Sequence, residues 1–242
     1  MNRDYVKWFS PALNRDMELL VFGQAGARVL VFPTREGRFY DYEDWGLVRA
    51  LAPSIEAGHL QLYCVDSVDS ATFYCLSCPA HTRIAHHNSY ERYILGEVLP
   101  FSQTRNANPF LIAHGCSIGA FHAVNIALRH PSKFGKVVGL SGRYDLTKPV
   151  GGFEDLFNGE YSQDIYFHTP NHYVPNLHES HHLESLRRME IILAVGLEDP
   201  FLPSNVELSR DLHEKGIANH LLLWEGEAHR ARYWRQMVQH YL

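Results

Sequence analysis

The chain has 242 residues, 45% of them hydrophobic, with 27 acidic against 22 basic side chains and a formal charge of -5. That is enough apolar material for one substantial core, so a single domain over 1–242 is expected, and the acidic balance offers no basic face for nucleic acid. No stretch approaches the eighteen or so apolar residues of a membrane span, and the opening MNRDYVKWFSPALNRD lacks the basic start and apolar run of an export signal. A cytoplasmic protein with neither membrane nor nucleic acid as partner is the expectation.

In chain order, MELLVFG (17–23) and ARVLVFP (27–33) are β-branched and aromatic runs separated by QAG, the pattern of two neighbouring strands in an antiparallel hairpin. WGLVRALAPSIEAG (45–58) reads as a helix, with Leu47, Leu51 and Ile55 every four residues and a glycine beyond the end. LQLYCVD (60–66) predicts a strand, SYERYILGEVLPF (89–101) a helix, PFLIAHG (109–115) a strand, and IGAFHAVNIALRH (118–130) a helix closed by Pro131. KVVGLSG (136–142) is the next strand. After a polar and aromatic insert over about 145–188, EIILAVG (190–196), NVELSRDLHEKG (205–216), HLLLWEG (220–226) and ARYWRQMVQHYL (231–242) continue the alternation. Strands alternating with helices predict an α/β fold, a mostly parallel sheet covered by helices on both faces. The insert is expected to form a small cap over the site.

Gly115-Cys116-Ser117-Ile118-Gly119 sits where a buried strand passes directly into a helix, the context of a nucleophile elbow. So sharp a turn needs small residues two before and two after the nucleophile. Choosing Cys116 puts His114 and Ile118 in those crowded places, whereas choosing Ser117 puts glycine in both; Cys116 then reads as a buried small hydrophobe. A serine hydroxyl needs a base to accept its proton and an acid to orient that base. EIILAVG ends in LEDP, which places Asp199 just past a strand's carboxyl end, and HLLLWEG ends in EAHRARYW, which places His229 at the equivalent loop of the last strand. Serine, acid and histidine follow in the order the fold class requires. Glu198 and Asp145 are rival acids.

At these residues the chain resembles the esterase D group of esterases within the α/β-hydrolase superfamily. The resemblance rests on HGCSIGAFHAVNIALRHPSKFGKVVGLSG, on GLEDPFLPSNVELSRDLHEKGIANHLLLWEG and on EAHRARYWRQM, and covers most of the chain from residue 27 onward. It implies hydrolysis of a small-molecule carboxylic ester or related acyl bond through an acyl-enzyme, with no cofactor. Two departures stand out: FPTREGRF where many members carry His-Gly, and Ala228 where the group has a glycine before the histidine. An oxyanion hole needs two backbone N–H donors. One is expected from Ile118, the first helical residue after the nucleophile, and the other from Thr34 or Arg35, since Pro33 has no N–H.

Other patterns carry less. HESHH (178–182) has the letters of a zinc helix motif, but Pro175 and Asn176 lie just upstream and no third ligand is evident, so no metal is expected. Cys75-x-x-Cys78 has no second Cys-x-x-Cys pair, and with Cys64 and Cys116 it is expected to remain as thiols. Acyl transfer or thioester cleavage on the same residues, a non-catalytic binding protein on a hydrolase scaffold, and assembly into a homo-oligomer are alternatives that residue types alone leave open.

Overall fold

The structure, a computed structural model, describes residues 1–242 and holds eight strands in one sheet, ordered β1-β2-β4-β3-β5-β6-β7-β8. β1 (Arg3–Ser10) and β2 (Arg15–Phe22) form an antiparallel hairpin at one edge. Val6 and Trp8 of β1 turn inward while Tyr5, Lys7 and Phe9 face out, the period of two of a half-covered strand. β3 (Ala27–Phe32) is not the neighbour of β2. This corrects the hairpin expected between 17–23 and 27–33: β4 (Leu60–Val65) lies between the two, antiparallel to β2 and parallel to β3. The QAG link steps across that slot rather than folding back. A β-carbon on Gly26, at φ +93°, would lie 2.1 Å from the carbonyl carbon of His59, so only glycine admits the approach.

Between β3 and β4 lie three short helices, α1 (Asp41–Asp44), α2 (Leu47–Ala50) and α3 (Ala52–Glu56), and the single helix expected over 45–58 is the last two of them. Gly46 at φ +76° parts the first two, and Pro53, which lacks the N–H that would continue the ladder, starts the third. After β4, α4 (Ala80–Tyr93) passes through a wide π turn over 94–98 into α5 (Leu99–Arg105). Then come β5 (Leu111–Cys116), α6 (Ile118–Arg129), β6 (Lys136–Leu140), the insert with α7 (Gln163–Phe167), α8 (Pro170–Tyr173) and α9 (Ser180–Arg188), β7 (Glu190–Gly196), α10 (Leu202–Glu214), β8 (His220–Trp224) and α11 (Ala231–Tyr241).

The sheet sorts its side chains to two faces. Leu30, Tyr63, Ala113, Val137 and Leu193 pack with Tyr90 of α4, Val124 of α6 and Leu208 of α10. Val29, Leu62, Ile112, Val138 and Ile192 pack with Leu47 and Ile55 on one side and with Trp234 and Met237 of α11. Strands β3 to β8 are all parallel, and the chain runs outward in opposite directions from the seam between β3 and β5. Loops leaving the carboxyl ends of those two strands diverge there, which opens a crevice for a ligand.

Cys75 and Cys78 are joined in a disulfide across a tight turn, whereas Cys64 and Cys116 are free and buried. This corrects the expectation of four thiols; the joined pair is partly exposed.

Candidate active site

Ser117 stands between β5 and α6 at φ 57°, ψ −124°, a strained conformation for a residue with a side chain. The neighbouring glycines make the turn sterically feasible. A β-carbon on Gly115 would sit 2.2 Å from the carbonyl oxygen of Gly119, and one on Gly119 would sit 2.4 Å from that of Phe32. Ser117 N–H donates to Leu140 O of the adjacent strand at 2.8 Å, which fixes the turn against β6. Cys116, one residue earlier, points into the core, and burial pushes its thiol pKa far up. A protonated, enclosed thiol is a poor nucleophile.

His229 reaches this serine from the loop after β8. Its Nε2 lies 3.0 Å from Ser117 Oγ and its Nδ1 lies 2.9 Å from Asp199 Oδ2. The imidazole packs edge-to-face with two rings, Phe201 at 5.3 Å and Trp234 at 5.5 Å between centroids. Trp234 Nε1 donates to Ser141 Oγ, which anchors one of those rings. Asp199 is buried; its Oδ1 accepts the Phe201 N–H at 2.9 Å, leaving Oδ2 for the histidine. The loops after β7 and β8 meet because Gly196 has no side chain: a β-carbon there would lie 2.0 Å from Glu227 O. Ala228 adopts φ 50°, a left-handed conformation that accounts for glycine being usual at this place in the group the chain resembles.

The rival acids face elsewhere. Asp145 accepts from Thr147 and pairs with Lys148 and His172. Burial pushes its pKa up, but these hydrogen bonds outweigh burial and hold it far below the usual carboxylate range. Glu198 is exposed.

Phe32 of β3 lies opposite Gly115 of β5, so the loops after these strands emerge side by side. Ile118 opens α6, and its N–H has no acceptor within the helix. In the loop after β3, Gly37 N–H donates to Thr34 O and Glu36 N–H donates to Asp69 Oδ2, which leaves the Thr34 and Arg35 N–H groups without a partner in the chain. The Arg35 guanidinium lies 4.5 Å over the Tyr74 ring. Asp66 and Asp69, just beyond β4, therefore support this loop, Asp66 through Phe39 N–H and Arg38. Sequence reasoning passed them over, although carboxylates at the carboxyl end of a parallel strand were a usable signal.

Of the insert, residues 145–157 flank the site. The Phe153 ring contacts Phe201 at 4.8 Å, and a cavity of about 150 Å³ opens between Arg143, Lys148, Val150 and Phe201. The rest of the insert packs along α6: Ile165 of α7 joins the cluster of Ile118 and Phe121, His168 bridges Asn125 and Asn88, and His182 Nε2 bonds Leu128 O. Helix α9 starts at Ser180, so His178 and Glu179 lie outside it and HESHH does not share one helical face.

Comparison with known proteins fits this geometry. The family model described as "Putative esterase" matches residues 74–238, more than half of the chain. None of the curated proteins matches the chain. Similar solved structures include a ferulic acid esterase, 16% identical over 99% of this chain and 95% of that one with a TM-score of 0.78. An S-formylglutathione hydrolase from Agrobacterium tumefaciens is 16% identical over 98% and 92%, TM-score 0.76. One from Staphylococcus aureus is 17% identical over 99% and 94%, TM-score 0.71. Likeness at such identities establishes the α/β-hydrolase fold. With the family match spanning two thirds of its length, the chain belongs to this esterase family and is an enzyme of the carboxylesterase type.

Proposed function

We propose that the enzyme cleaves small carboxylic esters through an acyl-enzyme on Ser117, with His229 as base and Asp199 as the acid that orients it. The reading is carried by one observation: the two ring nitrogens of His229 are within hydrogen-bond reach of Asp199 on one side and Ser117 on the other, at 2.9 and 3.0 Å. In this mechanism Oγ attacks the ester carbonyl while Nε2 takes its proton, and Asp199 stabilises the imidazolium. The tetrahedral oxyanion accepts hydrogen bonds from Ile118 N–H and from the Thr34 or Arg35 N–H. Proton return from His229 expels the alcohol, and a water activated by the same ring releases the acid.

The feature we take to favour small substrates is the segment 145–157, whose Phe153 packs on Phe201 beside the His229 ring. The test is covalent labelling by a fluorophosphonate probe together with turnover of p-nitrophenyl esters of increasing acyl length. An activated serine labels stoichiometrically, and turnover peaks at short acyl groups. Absence of labelling in folded protein favours the non-catalytic alternative, and rates that climb steadily with chain length overturn the small-ester reading.

A further inference from the structure

We infer that Asp69 is a positioning residue for the oxyanion donors: its carboxylate sets where the Thr34 and Arg35 N–H groups stand. This rests on the function proposed above and adds a residue to it. Asp69 begins a 3-10 turn just past β4 and is 2% exposed. Its Oδ2 accepts the Glu36 N–H at 2.9 Å, and its Oδ1 faces Nε2 of His122 at 3.5 Å. His122 is itself buried, five residues beyond Ser117 on α6, with its ring stacked on Phe32 and Phe73. One buried carboxylate thus stands between the nucleophile helix and the loop that offers the second donor.

Few other contacts tie the tip of this loop to the rest of the chain. Its base is fixed where Gly119 meets the Phe32 and Pro33 carbonyls, and its far end where Phe39 N–H meets Asp66. Between them, Glu36 has φ 51°, a left-handed conformation that a residue with a side chain keeps only where its surroundings impose it. The exposed side chains of Arg35 and Glu36 supply one loose pair at 3.6 Å, and an exposed pair of that kind fixes little. Gly37 N–H closes the turn on Thr34 O at 2.8 Å and the Arg35 guanidinium lies over the Tyr74 ring, so the Glu36–Asp69 bond is the hydrogen bond that ties the 34–37 turn to another segment of the chain. Oxyanion donors act by preorganisation, so a shift of about 1 Å in them costs on the order of 10²-fold in rate.

The test compares Asp69→Ala, which removes the acceptor, with Asp69→Asn, whose amide oxygen keeps it. Asp69→Ala is expected to lower kcat on the order of 10²-fold with KM within about threefold, and to weaken binding of a trifluoromethyl ketone, which forms an oxyanion on Ser117, by the same factor. Asp69→Asn is expected to restore most of both. A folded Asp69→Ala enzyme with unchanged kcat overturns the inference, as does a fall in kcat without a matching loss of ketone affinity. If Asp69→Ala does not fold, amide hydrogen exchange in the unaltered protein decides: Glu36 N–H is expected to exchange at least on the order of tenfold more slowly than Arg35 N–H, and equal rates overturn it. Failure of the unaltered protein to label with fluorophosphonate sinks the proposed function and this inference together, whereas normal labelling with an indifferent Asp69→Ala sinks only the latter.

Discussion

Gly119 passes so close to Phe32 that a β-carbon on it would lie 2.4 Å from the Phe32 carbonyl oxygen and 2.5 Å from that of Pro33. The first turn of α6 is thus seated directly on β3, the strand that leads into the loop at Thr34. Neither side of the contact is a flexible side chain, so an added methyl must push backbone away. Gly119→Ala is expected to destabilise the fold by about 1–3 kcal/mol, as overpacking does, and to lower kcat as the loop at Thr34 moves. Thermal unfolding and ester turnover of the purified variant measure both, and an unaltered midpoint with full activity would show that the seam yields freely.

Ser117→Ala and His229→Ala are each expected to lower kcat on the order of 10⁴-fold or more, and the double variant little further, because residues of one catalytic unit are not additive. Steady-state kinetics with a p-nitrophenyl ester is the measurement. Two single losses that multiply in the double variant would mean that the hydroxyl and the imidazole act independently.

The elbow was readable because its constraint is local: strand, glycine, serine, glycine, helix within a few residues, with the crowding at Gly115 and Gly119 as the physical reason. Asp199 and His229 were identifiable as candidates because each follows an apolar run that must end at the sheet's carboxyl edge. Strand neighbours were not readable. Apolar content records burial and says nothing of which strand lies alongside, so MELLVFG and ARVLVFP read as a pair although β4 separates them. The outer hairpin strand escaped notice because only Val6 and Trp8 of its central residues turn inward. Leu47, Leu51 and Ile55 keep a helical spacing through the break at Leu51, so two short helices imitate one. The support of Asp69 for the oxyanion loop is a contact between distant segments made to a backbone N–H, which imposes no residue type on its partner at position 36.

The cysteines divide by environment. Cys116 is enclosed and its pKa is pushed far up by burial, so Cys116→Ala is expected to keep most activity and thiol reagents are expected to leave the native enzyme active. Cys75 and Cys78 are partly exposed and joined. Thiol titration of unfolded protein should find two thiols before a reducing agent and four after it. Four at the outset would show that Cys75 and Cys78 stand as thiols in the purified protein.

Glu91 of α4 ties down the end of α6, accepting from Arg129 at 2.9 and 3.0 Å and from His130 at 3.1 Å. Burial pushes its pKa up, but these hydrogen bonds outweigh burial and bring it from 4.5 to about 2. A folded-state pKa below the unfolded one stabilises the protein above the unfolded value, and that contribution, on the order of 3 kcal/mol at most, fades as pH falls through the folded value. Unfolding free energy is therefore expected to drop between about pH 4.5 and pH 2, and Glu91→Gln to flatten that part of the profile. An identical acid limb in the variant would assign the loss to other carboxylates.

The acid is the assignment with rivals, and the three carboxylates differ in what they touch. Asp199 is buried with Oδ2 2.9 Å from His229 Nδ1. Asp145 is taken up by Thr147, Lys148 and His172, and Glu198 is exposed. A carboxylate on Nδ1 keeps the proton there, so that Nε2 faces Ser117 as an acceptor, and it stabilises the imidazolium that forms as the serine attacks. Asp199→Asn preserves the shape but favours the wrong tautomer, so kcat is expected to fall on the order of 10⁴-fold with KM nearly unchanged, the pattern of an interaction that strengthens in the transition state. Asp145→Asn, which weakens contacts holding the insert, is expected to change stability and KM more than kcat, and Glu198→Gln to change neither. Unfolding midpoints for each variant separate loss of fold from loss of chemistry. Should Asp145→Asn prove the crippling substitution while Asp199→Asn stays active, the acid lies after β6 and the bond between Asp199 and His229 has no part in the reaction.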